Sequence, residues 1–62
     1  MISRMEKERR MAVAREEAGL ELVYSVDLFG DFVEVKGEIG GDLYRRRTYF
    51  NNDGTVKYTV EK

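Results

Sequence analysis

The run LELVYSVDLFGDFVEVKGEIGGDLYRRRTYFNNDGTVKYTVE, residues 20–61, decides how this chain folds. Its opening residues place Leu20, Leu22, Tyr24, Val26 and Leu28 at every second position, the period of a strand with one buried face. Three turn signals divide the remainder of the run: Phe29 with Gly30, Gly40 with Gly41, and the stretch Asn51, Asn52, Asp53, Gly54. The spacing predicts four strands, at 20–28, 31–39, 42–50 and 55–61.

Each turn sets a register, and a slip of one residue would send every side chain to the other face. A two-residue turn at Phe29 and Gly30 puts Val26 opposite Val33, Tyr24 opposite Val35 and Leu20 opposite Ile39. One at Gly40 and Gly41 puts Val33 opposite Thr48, Val35 opposite Arg46 and Gly37 opposite Tyr44. A three-residue loop at Asn52, Asp53 and Gly54, a type I turn closed by a glycine bulge, puts Phe50 opposite Val56 and Thr48 opposite Tyr58. The three registers agree on one apolar face, made of Leu20, Leu22, Tyr24, Val26, Leu28, Val33, Val35, Ile39, Tyr44, Phe50, Val56, Tyr58 and Val60. The other face then carries Glu34, Lys36, Glu38, Arg45, Arg47, Lys57, Thr59 and Glu61.

Ahead of the sheet, residues 4–18 read as a helix. Ser3 followed by Glu6 forms a capping box, the intervening positions are good helix formers, and Gly19 stands where a left-handed terminal residue is wanted. The apolar stripe is weak: Ile2, Met5, Ala12 and Val13 share a side with Arg9 and Glu16, while Met11, Ala14 and Ala18 lie elsewhere. The expected fold is α+β, a single small domain over residues 1–62 in which one N-terminal helix packs on a four-stranded antiparallel meander.

That arrangement leaves an imbalance. Four strands make a surface roughly 15 to 19 Å wide, against about 10 to 12 Å for a helix with its side chains. An uncovered apolar area marks an interface, so a two-fold homodimer is one expectation. A strongly twisted sheet wrapping the helix is the other.

Composition excludes much chemistry. The 62 residues include no His, Cys, Pro or Trp, which removes zinc-finger ligands, thiolate nucleophiles and a histidine base. No catalytic residue, metal ligand or cofactor site is expected. Paired acids such as Glu34 with Glu38 have no pocket to raise a pKa, and Asn52, Asp53 and Gly54 lack the spacing of a calcium loop. No apolar run approaches a membrane span and no signal segment is evident, so a soluble cytoplasmic chain without membrane contact is expected.

A net charge of −1 hides segregation: residues 1–18 carry +1, residues 19–42 carry −5 and residues 43–62 carry +3. The basic end holds Arg45, Arg46 and Arg47. Alternation turns Arg45 and Arg47 to the polar face beside a cross-strand pair of Phe32 and Tyr49, with Phe29 at the adjacent turn. Tyr and Arg together are the composition of an interface hot spot. Arg46 instead breaks the apolar face, and Glu16 on the helix is its expected partner. The candidate partner-binding residues are therefore Phe29, Phe32, Arg45, Arg46, Arg47 and Tyr49.

The function expected from these features is non-catalytic: a stoichiometric protein-binding module, of the size and composition of small inhibitors and accessory factors carried by phages and mobile elements. The alternative is a nucleic-acid-binding sheet using the strand of Arg45 to Arg47. Opposing it, the predicted register sets Glu34 against Arg47 and Glu61 against Arg45, and the acidic pI of about 5.4 is unlike that of such domains.

Overall fold

A computed structural model describes residues 2–62. One helix, α1 (Arg4–Ala18), is followed by four strands, β1 (Leu22–Leu28), β2 (Phe32–Ile39), β3 (Asp42–Phe50) and β4 (Val56–Glu61). The strands form one open antiparallel sheet in the order β1-β2-β3-β4, an α+β meander as the sequence predicts. The first, second and fourth strands start one or two residues later than their periodicity suggests, an ordinary difference at strand ends.

The Ser3 hydroxyl accepts from the Glu6 amide at 3.1 Å, and Gly19 closes the helix in a left-handed conformation. The return half of the capping box is replaced. The Glu6 carboxylate instead accepts from Arg9 Nε at 2.8 Å and from Arg10 Nε at 2.8 Å. Those arginines reach the β3–β4 loop: Arg9 donates to the Gly54 carbonyl, and Arg10 Nη2 to the Asn52 carbonyl at 3.5 Å. The Arg10 guanidinium also lies 5.5 Å from the centre of the Phe50 ring.

This clamp corrects the expected helix face. The buried positions are Arg10, Ala14 and Ala18, one turn apart, while Met5 is 81% exposed. Small alanines let the helix approach the sheet closely, and the Arg10 guanidinium lies over the Phe50 ring. Of the expected stripe, Val13 borders the core, while Met5 and Ala12 are exposed.

The β2–β3 register is the predicted one, with Val33 opposite Thr48, Val35 opposite Arg46 and Gly37 opposite Tyr44. The other two pairings differ. At the first hairpin, Phe29 donates its amide to the Phe32 carbonyl, so Gly30 and Asp31 make the turn rather than Phe29 and Gly30. Val26 then faces Val35, and Leu28 faces Val33. The shift by two keeps both valines on the helix side. A β-bulge at Tyr24 then breaks the alternation: Val23 turns toward the helix and Leu22 and Tyr24 turn away, at 56% and 58% exposed.

The last hairpin does close through Asn52, Asp53 and Gly54, with Gly54 at φ 89° and Phe50 opposite Val56. One extra residue, Lys57, comes next, and it reverses the rest of β4. Tyr58 now pairs with Tyr49 rather than Thr48, Val60 with Arg47, and Glu61 with Arg46 rather than Arg45. On the helix side, Thr59 Oγ1 meets Thr48 Oγ1 at 3.1 Å.

These two bulges answer the imbalance between a wide sheet and a narrow helix. They remove Leu22, Tyr24, Tyr58 and Val60 from the face that α1 must cover. What remains beneath the helix is a small core of Ala14, Ala18, Val33, Val35 and Phe50, bordered by Met11, Val13, Leu20, Val23, Val26 and Leu28. Apolar surface is displaced to the opposite side of the sheet.

Candidate functional site

The sheet face turned away from α1 is organised in rows that cross the strands. At one end, Phe29, Phe32, Tyr49 and Tyr58 form a continuous ladder, with successive ring centres 5.0, 5.0 and 4.9 Å apart and interplanar angles of 22°, 35° and 32°. The separation matches the spacing between neighbouring strands, about 4.8 Å. Phe29 and Phe32 are stacked, whereas Tyr49 is tilted against both Phe32 and Tyr58. Phe32 and Tyr49 are thus each flanked by a ring on either side, while Phe29 and Tyr58 end the ladder, at 47% and 48% exposed.

The next row places Asp27, Glu34, Arg47 and Val60 across the four strands. Glu34 is buried although it lies on this outer face, with its side chain 7% exposed. Arg47 Nε donates to its carboxylate at 2.9 Å, Lys36 Nζ stands 3.7 Å away and Arg45 Nε 3.9 Å away. The hydrogen bond from Arg47, with the charges of Arg47, Arg45 and Lys36, holds the Glu34 carboxyl below the usual carboxylate range despite its burial. That direction is the reverse of what a general acid working near neutral pH needs. The same contact, with a second from Tyr49, holds the Arg47 guanidinium more firmly protonated. Its carbon lies 4.9 Å from the centre of the Phe32 ring, so the charged row is packed on the aromatic one.

Beyond it come Ser25, Lys36 and Arg45, and then Leu22, Glu38 and Leu43. Leu43 is 76% exposed. Between these rows lies a shallow depression of about 570 Å³, lined among others by Tyr24, Ser25, Lys36, Leu43, Arg45 and Lys62.

Of the residues singled out from the sequence, Phe29, Phe32, Tyr49, Arg45 and Arg47 do share this face. Arg46 does not. It points to the helix side, where Nη1 donates to the Ala18 carbonyl at the end of α1, Nη2 stands 3.9 Å from Glu61 and the guanidinium carbon lies 5.1 Å from the centre of the Tyr44 ring. The expected partner Glu16 is replaced by a backbone acceptor, because the last carbonyls of a helix have no intrahelical donor and carry its negative partial charge. Sequence reasoning also missed Tyr58, Leu22, Tyr24 and Leu43 as members of this face. The two bulges explain the first three. Leu43 sits at an outward position of β3 by simple alternation and was legible there.

No protein-family model matches the chain, and neither a curated protein nor a solved structure matches it. Among the described residues, no helix is long and apolar enough to cross a membrane.

Proposed function

We propose that this chain is a non-catalytic protein-binding module that acts stoichiometrically through the sheet face opposite α1. The observation that carries the reading is where the exposed apolar side chains fall: Leu22, Tyr24, Phe29, Leu43 and Tyr58 lie on or border this face, interleaved with Arg45 and Arg47, while Met5 and Val56 lie elsewhere. Large apolar and aromatic groups set among arginines suit a protein surface, where they fill pockets and are ringed by polar contacts. The ladder geometry weighs against single-stranded nucleic acid, the alternative reading. Bases stack on open ring faces, and each inner ring here is flanked by another ring about 5 Å away on either side.

The test is capture of partners from a host lysate by the tagged chain, with and without nuclease, beside the variants Phe29→Ser, Tyr58→Ser and Met5→Ser. The expected result is a protein retained after nuclease treatment, lost with either outer-face variant and kept with Met5→Ser. Retention by both outer-face variants, or recovery of nucleic acid alone, would overturn the reading.

A further inference from the structure

The depression at the leucine end of this face has chemistry of its own, and it narrows the kind of partner. Lys36 and Arg45 flank it with side chains 45% and 53% exposed. Both lie close enough to Glu34 to feel its charge but beyond hydrogen-bonding distance, and the carboxylate is already engaged by Arg47. Their N–H groups therefore remain available to an incoming acceptor. Lys62 adds a third cation to the lining. Against them stands Glu38, between Leu22 and Leu43 in the next row, and Asp27 farther along β1. Tyr24 and Leu43 add exposed apolar surface to the same lining.

We infer that this depression receives an acidic peptide segment in which an Asp or Glu stands beside an apolar residue, the carboxylate meeting Lys36 and Arg45 and the apolar side chain resting on Leu43 and Tyr24. The inference rests on the protein-binding proposal and specifies its partner. Arginine offers paired donors to a carboxylate, and charge-assisted hydrogen bonds of this kind are about twice as strong as neutral ones. A nucleotide phosphate would satisfy the cations equally well, but it would leave the exposed leucine facing a sugar or a solvated backbone. The segment lies on the face and does not extend the sheet at β1, since the bulge at Tyr24 disrupts that edge as a template for pairing.

The experiment is selection from a random peptide display library against the intact chain, followed by fluorescence anisotropy with an enriched peptide. Enriched sequences should pair an acidic residue with a neighbouring Leu, Ile, Val or Phe. Affinity should fall about tenfold or more in the double variant Lys36→Gln with Arg45→Gln, and severalfold in Leu43→Ser, and should hold in Met5→Ser. Circular dichroism establishes that each variant is folded. Leu43→Ser touches no internal ion pair and keeps the test open if the double variant is not. No enrichment, enriched peptides without an acid, binding insensitive to these substitutions, or displacement of the peptide by oligothymidylate would each overturn the inference. The capture experiment reads the broader proposal separately: a partner lost with Phe29→Ser or Tyr58→Ser but indifferent to the depression variants would sustain that proposal and sink this one.

Discussion

The α-carbon of Gly37 on β2 stands against the carbonyl oxygen of Leu22 on β1, so close that a Cβ there would collide with it. The close approach occurs where β1 bulges at Tyr24, and it accounts for a glycine in the interior of a strand, where glycine otherwise weakens the sheet. The contact lies beside the register shift at which Leu22, Val23 and Tyr24 depart from the expected alternation.

Gly37→Ala should therefore destabilise the chain by about 1–3 kcal/mol, because the obstacle is backbone, which cannot rotate aside as a side chain can. Gly30→Ala is the control, having open space around the site and no positive φ, and should change stability by no more than about 0.5 kcal/mol or raise it slightly. Urea unfolding of both variants checks the pair. Equal effects would show that the contact with Leu22 does not constrain the bulge.

A second prediction concerns acid. Hydrogen bonds from Arg9 and Arg10 hold the Glu6 carboxyl at about 2, down from an ordinary 4.5. A carboxyl depressed in the folded state contributes stability that is present above its unfolded value and is lost as pH falls from about 4.5 toward 2. The melting temperature of the wild type should drop across that window, and Glu6→Gln should flatten the drop while lowering the plateau above it. An unchanged slope would show that the tie between α1 and the β3–β4 loop through Glu6 is not formed in solution.

The element order, the helix limits, the β2–β3 register and the loop at Asn52 to Gly54 were legible in the sequence because each rests on local signals: a cap, a glycine pair, an alternation. The bulges were less so. Gly37 is a visible sign of the first, being a glycine inside a strand pattern, but it does not say where on the neighbouring strand the extra residue falls. Lys57 carries no such mark, since Val56, Tyr58 and Val60 alternate equally well with either face inward. Tertiary pairing decides there, through the Thr48–Thr59 hydroxyl contact on the helix side and the Tyr49–Tyr58 stack on the other. The aromatic pair of Phe32 and Tyr49 was therefore legible, and its extension to Tyr58 was not.

Arg46 is a structural residue by its contacts, and that too can be measured. It ties the last turn of α1 to β3 through the Ala18 carbonyl, with 27% of its side chain exposed. Arg46→Met keeps the stem and removes a charged donor at the negative end of the helix, and it should cost about 1–2 kcal/mol in urea unfolding. Arg46→Lys should recover part of that. Peptide binding at the outer face should be unaffected by Arg46→Met. A variant as stable as the wild type but defective in partner capture would instead return Arg46 to the binding surface.

The ion cluster around Glu34 yields a further titration. Its carboxyl is depressed chiefly by the hydrogen bond from Arg47, while burial pushes the other way. Arg47→Leu removes the larger influence and leaves burial opposed only by Arg45 and Lys36, both of which stand farther off. The Glu34 pKa should rise in that variant, tracked by the carboxyl carbon shift in NMR, and should rise less in Lys36→Gln. The stability effect has a definite sign. In the wild type, ionised Glu34 stabilises the fold above its ordinary value of 4.5 and the contribution is lost as pH falls through its lowered folded value. In Arg47→Leu that acid loss should shrink, and should turn into a gain on acidification if the folded value passes above 4.5. A Glu34 titration identical in both proteins would mean that Arg47 does not hold the carboxylate, and its role as the anchor of the cationic row would have to be abandoned.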